Sequence, residues 1–136
     1  MSATIIHPEG WKPAKGYANA MLAEGRVLVL GGQIGWTADQ VFEHHDFAGQ
    51  FRQTLLNIRA LVEAAGGTVE HIVRMTWFVT DKQAYLADPK GMGAIYREVM
   101  GRHFPTMSVV FVTELVEDAA LLEIEATAVL PLEVEP

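Results

Sequence analysis

The stretch FPTMSVVFVTE, Phe104 to Glu114, reads as a β-strand with apolar side chains on both faces. Side chains alternate along a strand, so Met107, Val109 and Phe111 point one way and Ser108, Val110 and Val112 the other. Such a strand needs cover on two sides. The rest of the chain says where the first cover comes from.

Two helices are written into the sequence. In DFAGQFRQTLLNIRALVEAAGG (residues 46–67), Phe47, Phe51, Leu55, Ile58 and Val62 fall on one stripe, with Gln50, Arg52, Gln53, Asn57 and Glu63 on others. Asp46 suits the cap at its start and Gly66 its end. Asp88-Pro89 opens a second helix, a cap followed by a first-turn proline. Met92, Ile95, Tyr96, Val99 and Met100 form its apolar stripe, and Gly101 stops it.

Strands surround these helices. GYANAMLAEGRVLVLGGQIGW (16–36) predicts a hairpin turning at Glu24-Gly25. Gly31-Gly32 marks a bend, or a place where another group approaches the backbone. HIVRMTWFVT (71–80) and LLEIEATAVL (121–130) complete the order β-β-α-β-α-β-β. This predicts a single α+β domain over residues 1–136, with two helices on one face of one sheet. Parity puts His71, Val73, Met75, Trp77 and Val79 under the helices, with Leu122, Ile124, Ala126, Ala128 and Leu130. The other face carries Arg74, Thr76, Phe78, Glu123, Glu125 and Thr127, plus the apolar side chains of 104–114. Either a copy of the same chain covers that face, or the strand ends or bulges early and leaves a small patch.

Composition excludes several classes of function. The chain has 136 residues and half are hydrophobic, yet no apolar run approaches the roughly 20 residues of a membrane helix. The N-terminal residues lack the order of a secretory signal. There is no cysteine, which excludes disulfides and thiolate chemistry and suits a reducing compartment, the cytoplasm. Net charge is −7 and no basic run exists, so nucleic acid is not an expected partner. No phosphate loop or nucleophile elbow is present. EHHD, Glu43 to Asp46, lacks metal-ligand spacing and reads as a solvated loop ending in a helix cap. Trp36 fits a packed loop, and PLEVEP at the C-terminus a short solvated tail.

The order of elements, with LGGQIG, NIRALVEAAGG, FVTD, IYREVMGRHFP and LLEIEATAVLP, resembles the RidA/YjgF family from about Gly16 to Pro131. The resemblance implies a chorismate-mutase-like α+β fold and a homotrimer with small-molecule clefts between subunits. It implies hydrolysis of reactive 2-imino or enamino acids to 2-keto acids and ammonia, with no metal or organic cofactor. Residue by residue, Tyr17 matches a cleft tyrosine and Gly32 the glycine of the family's SGQ, whose serine is Gly31 here. Glu123 matches the glutamate that positions or activates water. Two positions depart. The family's PARS is PTMS, so its substrate-binding arginine is Met107, and an asparagine ahead of the second helix's VY is Gly93. The loop before Glu123 is also one residue longer than is typical of the family.

Imine hydrolysis needs a water near the imine carbon and a carboxylate to hold it and take its proton. Glu123 is the candidate; Tyr17 offers a hydrogen bond or a stacking face, and the Gly31-Gly32 backbone open access. A structural alternative exists for each. Glu123 and Glu125 with Arg74 could form an interface ion network, and Tyr17 could be a packed boundary tyrosine. Met107 cannot grip a carboxylate as an arginine fork does. The substrate then lacks a carboxylate, or another cation such as Arg74 or Arg102 reaches the cleft, or the site only binds a small molecule or partner without catalysis. Ribonuclease action, suggested by an older family label, is opposed by the acidic charge and the lack of a histidine pair.

Overall fold

The interior side chains of four strands and two long helices form one apolar core, from Leu30 and Phe51 to Ile124 and Leu130. The computed structural model describes residues 3–132; most of the expected C-terminal tail lies outside them. The main sheet contains β3 (Arg26–Ile34), β4 (Ile72–Val79), β5 (Thr106–Phe111) and β6 (Leu122–Leu130), in the order β3-β6-β4-β5. β4 and β5 run parallel and the other pairs antiparallel. Helix α1 (Phe47–Ala64) lies over β3 and β6, and α3 (Pro89–Met100) packs beside α1. A short α2 (Lys82–Leu86) precedes α3 and is capped by Asp81, whose carboxylate accepts from the Gln83 and Ala84 amides.

Both long helices form as their caps predict. The Asp46 carboxylate accepts from Gly49 N at 3.2 Å, and Asp88 from Gly91 N at 3.0 Å. All five residues of the α1 stripe are buried. On α3, Tyr96, Val99 and Met100 are buried, with Met92 and Ile95 packed at the margin.

Three expectations are corrected. The hairpin at Glu24-Gly25 does not form. β2 (Ala20–Leu22) instead pairs with β1 (Thr4–Ile6) in a separate two-stranded sheet, and β3 pairs with β6. Gly25 is required by that long-range pairing: its φ is +151°, and a Cβ there would collide with the Leu130 carbonyl. The core face of β4 begins at Ile72, not at His71 and Val73, because the β4–β6 register shifts between Ile72 and Arg74. Gln50, assigned to a polar stripe, is fully buried.

The sheet's second face is the one parity predicted. Met107 and Val109 stand opposite buried Met75 and Trp77 on the helix side, leaving Ser108 and Val110 on the other. There, among the described residues, no helix covers the outward side chains of β3, and Val27 and Val29 are 66% and 74% exposed. Val129, the cross-strand partner of Val27, is half-buried beside them.

Candidate functional site

Glu123 stands at the bulged corner between β3 and β6. Between Leu30↔Ala126 and Gln33↔Ile124, β3 advances three residues while β6 advances two. The extra residue falls at Gly31-Gly32. Gly31 faces open space, whereas a Cβ at Gly32 would collide with the Glu123 carboxylate. Glu123 is half-buried, with Phe78 of β4 as its cross-strand neighbour.

Helix α1 clamps both strands of this corner. The Gln50 amide donates to His44 O at 3.1 Å and Ala119 O at 2.8 Å, and its Oε1 accepts from Leu121 N at 2.8 Å. Asn57 Nδ2 donates to Ile34 O at 3.0 Å and Trp36 O at 2.8 Å. One helix thus fixes the segment after Gly32 and the segment before Glu123. The sequence reading missed these two residues. The available signal was spacing: Gln50 lies three residues after Phe47 and four before Thr54, itself buried, so it belongs to the core-facing side.

The other expected site residues gather elsewhere. The bridge Ala18↔Thr106 and the bond from Ala18 N to Pro105 O, 3.1 Å, lay the segment carrying Tyr17 beside the start of β5. Tyr17, Asn19, Arg74, Met107 and Ser108 line a hollow of about 170 Å³ there. Arg102 shares a second hollow with Tyr17 and Trp11. Met107 also lines a cavity of about 290 Å³ on the helix side, with Trp77, Tyr85, Gly93 and Phe104. Burial raises the phenol pKa of Tyr85 in that wall, and that of Tyr96 well above its ordinary value.

These two groups are not brought together within one chain. Thr106 and Arg74 share a row of the sheet, while Glu123 shares its row with Phe78 and Val110, four residues on. That is about 13 Å along the strands. The same spacing separates Arg74 from Glu123, whereas Arg74 and Glu125 line a common hollow of about 150 Å³. Among the described residues the ion pair formed is Arg52 with Glu98, which ties α1 to α3 and lowers the pKa of Glu98 through its hydrogen bond from Arg52.

Comparison with known proteins gives the class and then the family. The endoribonuclease L-PSP family model matches residues 9–130. A RutC family protein of Haemophilus influenzae is 34% identical over 129 residues, covering 95% of this chain and 98% of the relative. The 2-iminobutanoate/2-iminopropanoate deaminase of Escherichia coli K12 is 39% identical over 108 residues, 77% of this chain and 80% of the relative. The crystal structure of the Rid family protein YyfB from Yersinia pestis, a protein of unknown function, superposes with a TM-score of 0.84 at 29% identity, covering 96% of this chain and all of that one. The chain belongs to this family, the RidA/YjgF family, and has its α+β fold.

Proposed function

We propose that this protein hydrolyses a small reactive imine or enamine in clefts between the subunits of a homotrimer. The observation that carries the reading is the Glu123 carboxylate seated over Gly32 on the open face of the sheet. The Escherichia coli relative named as a deaminase supports the reaction class. The trimer is supported by the exposed apolar face, and by the separation of Tyr17 and Met107 from Glu123 in one chain. A neighbouring copy laid against that face brings its Tyr17 end to the Glu123 corner.

The reaction balances with water alone. Glu123 orients a water and accepts its proton as the oxygen bonds to the carbon of the protonated imine. The C=N π pair moves onto nitrogen and gives a carbinolamine. Glu123 returns the proton to nitrogen, the C–N bond breaks, and ammonia leaves as the hydroxyl proton passes to Glu123 and the carbonyl forms; that proton then goes to ammonia. In free solution the iminium and water become the ketone and ammonium. Tyr17 and the Gly31-Gly32 backbone position the substrate in this scheme.

Ammonia release from 2-iminopropanoate, made in place by an amino-acid oxidase, tests the reading. Glu123→Ala is expected to lose about 100-fold or more. Equal rates for wild type and Glu123→Ala would reject Glu123 as the catalytic group. A second reading, binding without catalysis, is favoured by Met107 standing where the family's arginine is expected. Ligand binding with no turnover on any imine would select it.

A further inference from the structure

The loop from Thr113 to Ala120 runs from β5 into β6 and so to Glu123. Both its ends are tied at the Val79–Thr80 end of the sheet: Val112 N donates to Val79 O at 2.9 Å, and Thr80 N to Leu121 O at 3.2 Å. Its tip stands out in water. Val116 is 93% exposed, an apolar side chain flanked by Glu114, Glu117 and Asp118. The loop contains no cation, and among the described residues none of its three carboxylates has a hydrogen-bond or ion-pair partner.

A complementary surface lies at the other end of β5. A hollow of about 560 Å³ there is walled by Trp11, Pro13, Tyr17, Arg102 and Phe104. Trp11 is 59% exposed. Arg102 is exposed, and among the described residues its side chain has no hydrogen-bond or ion-pair partner. Lys12 and Lys15 outnumber Glu9 on the segment that carries Trp11. From Thr106 to Val112 the chain advances about 20 Å along the strand. The eight residues 113–120, which must return to the same end of the sheet, reach out about 13 Å at most. The loop therefore cannot fill the hollow of its own chain.

We infer that the loop tip of one copy docks in the Trp11–Arg102 hollow of the next. Val116 packs on Trp11, and the loop carboxylates face Arg102. Matching patches at two places on one chain make a head-to-tail contact, which closes into a ring when its rotation allows. The loop runs straight into Glu123, so seating its tip also fixes that carboxylate relative to the neighbour's Tyr17, which lines the same hollow. This rests on the proposed trimer and states which parts of adjacent copies clasp each other.

The chain has no cysteine, so an introduced pair reports the contact directly. Whole protein carrying Trp11→Cys and Val116→Cys is expected to run, after mild oxidation, as two and three linked chains on a denaturing gel. Each single variant should stay one chain, and the linked double variant should keep its hydrolysis. A double variant that sediments as a trimer yet links no more than the single variants overturns the inference and leaves the trimer standing. Wild type sedimenting as one chain removes both. Charge gives a second measurement. Arg102→Gln, and the triple change Glu114→Gln, Glu117→Gln, Asp118→Asn, should each weaken trimer assembly about 10-fold. Combined, they should weaken it little further, because each removes the same contact. Full additivity, or no effect of either, overturns the inference. Linked chains that never hydrolyse an imine, with wild type equally inert, sink the catalytic reading alone.

Discussion

The Glu123 carboxylate occupies the space that a side chain at Gly32 would need. The glycine is thus a steric requirement of the acid's position, independent of any ligand. Gly32→Ala must push the carboxylate aside or distort the β3 bulge. If Glu123 orients the attacking water, this variant should lose most hydrolysis, within about tenfold of the loss in Glu123→Gln. Its melting temperature should change far less than its activity, because Gly32 is exposed. Initial rates and thermal melts on the three proteins check this.

Gln50 provides a separate handle on the same corner. Its three hydrogen bonds reach the loop before α1 and the segment leading into β6. Gln50→Leu removes the partner of three partly buried backbone groups and should cost about 1–3 kcal/mol in urea unfolding. A role in positioning Glu123 predicts more: kcat falls in the folded variant while KM holds. An unchanged kcat would leave Gln50 with a purely structural role.

Tyr96 links stability to pH. Its hydroxyl donates to His103 O at 2.5 Å, and burial raises its pKa well above the ordinary phenol value. The neutral phenol is therefore favoured by folding. Its contribution is complete below a pH of about 10, where the unfolded phenol ionises, and is lost as pH rises from there through the raised folded pKa. Tyr96→Phe should cost about 1 kcal/mol at neutral pH and should flatten the alkaline fall in stability. Urea melts at neutral and alkaline pH measure both.

The parts of the fold legible in sequence are those where one periodicity ran uninterrupted. The stripes of α1 and α3, their aspartate caps and the alternation of β6 specify their own buried faces. The errors arose where a distant partner overrode a local signal. Glu24-Gly25 has turn chemistry, yet Arg26 pairs with Leu130 at the far end of the chain. A register shift against β6 moved the core face of β4 from Val73 to Ile72. For the candidate site, the sequence proposed Glu123 and marked Gly31-Gly32 as a point of close approach, but did not say that the approaching group is the Glu123 carboxylate.

The uncovered sheet face carries the largest consequence for assembly. Val29 is 74% exposed at the edge strand of the sheet, and its cross-strand neighbour Thr127 is half-buried. Replacing Val29 with Asp therefore leaves the fold of a single chain nearly untouched. In a homotrimer joined through this face, the same change places an unpaired carboxylate in an apolar contact, which is strongly unfavourable. Val29→Asp should shift the sedimenting species from three chains to one while circular dichroism stays the same. Hydrolysis should disappear with the trimer, because Glu123 of one copy then loses the Tyr17 end of the next. If Val29→Asp sediments and turns over as wild type does, copies do not meet on this face, and Tyr17 and Glu123 do not share a site through it.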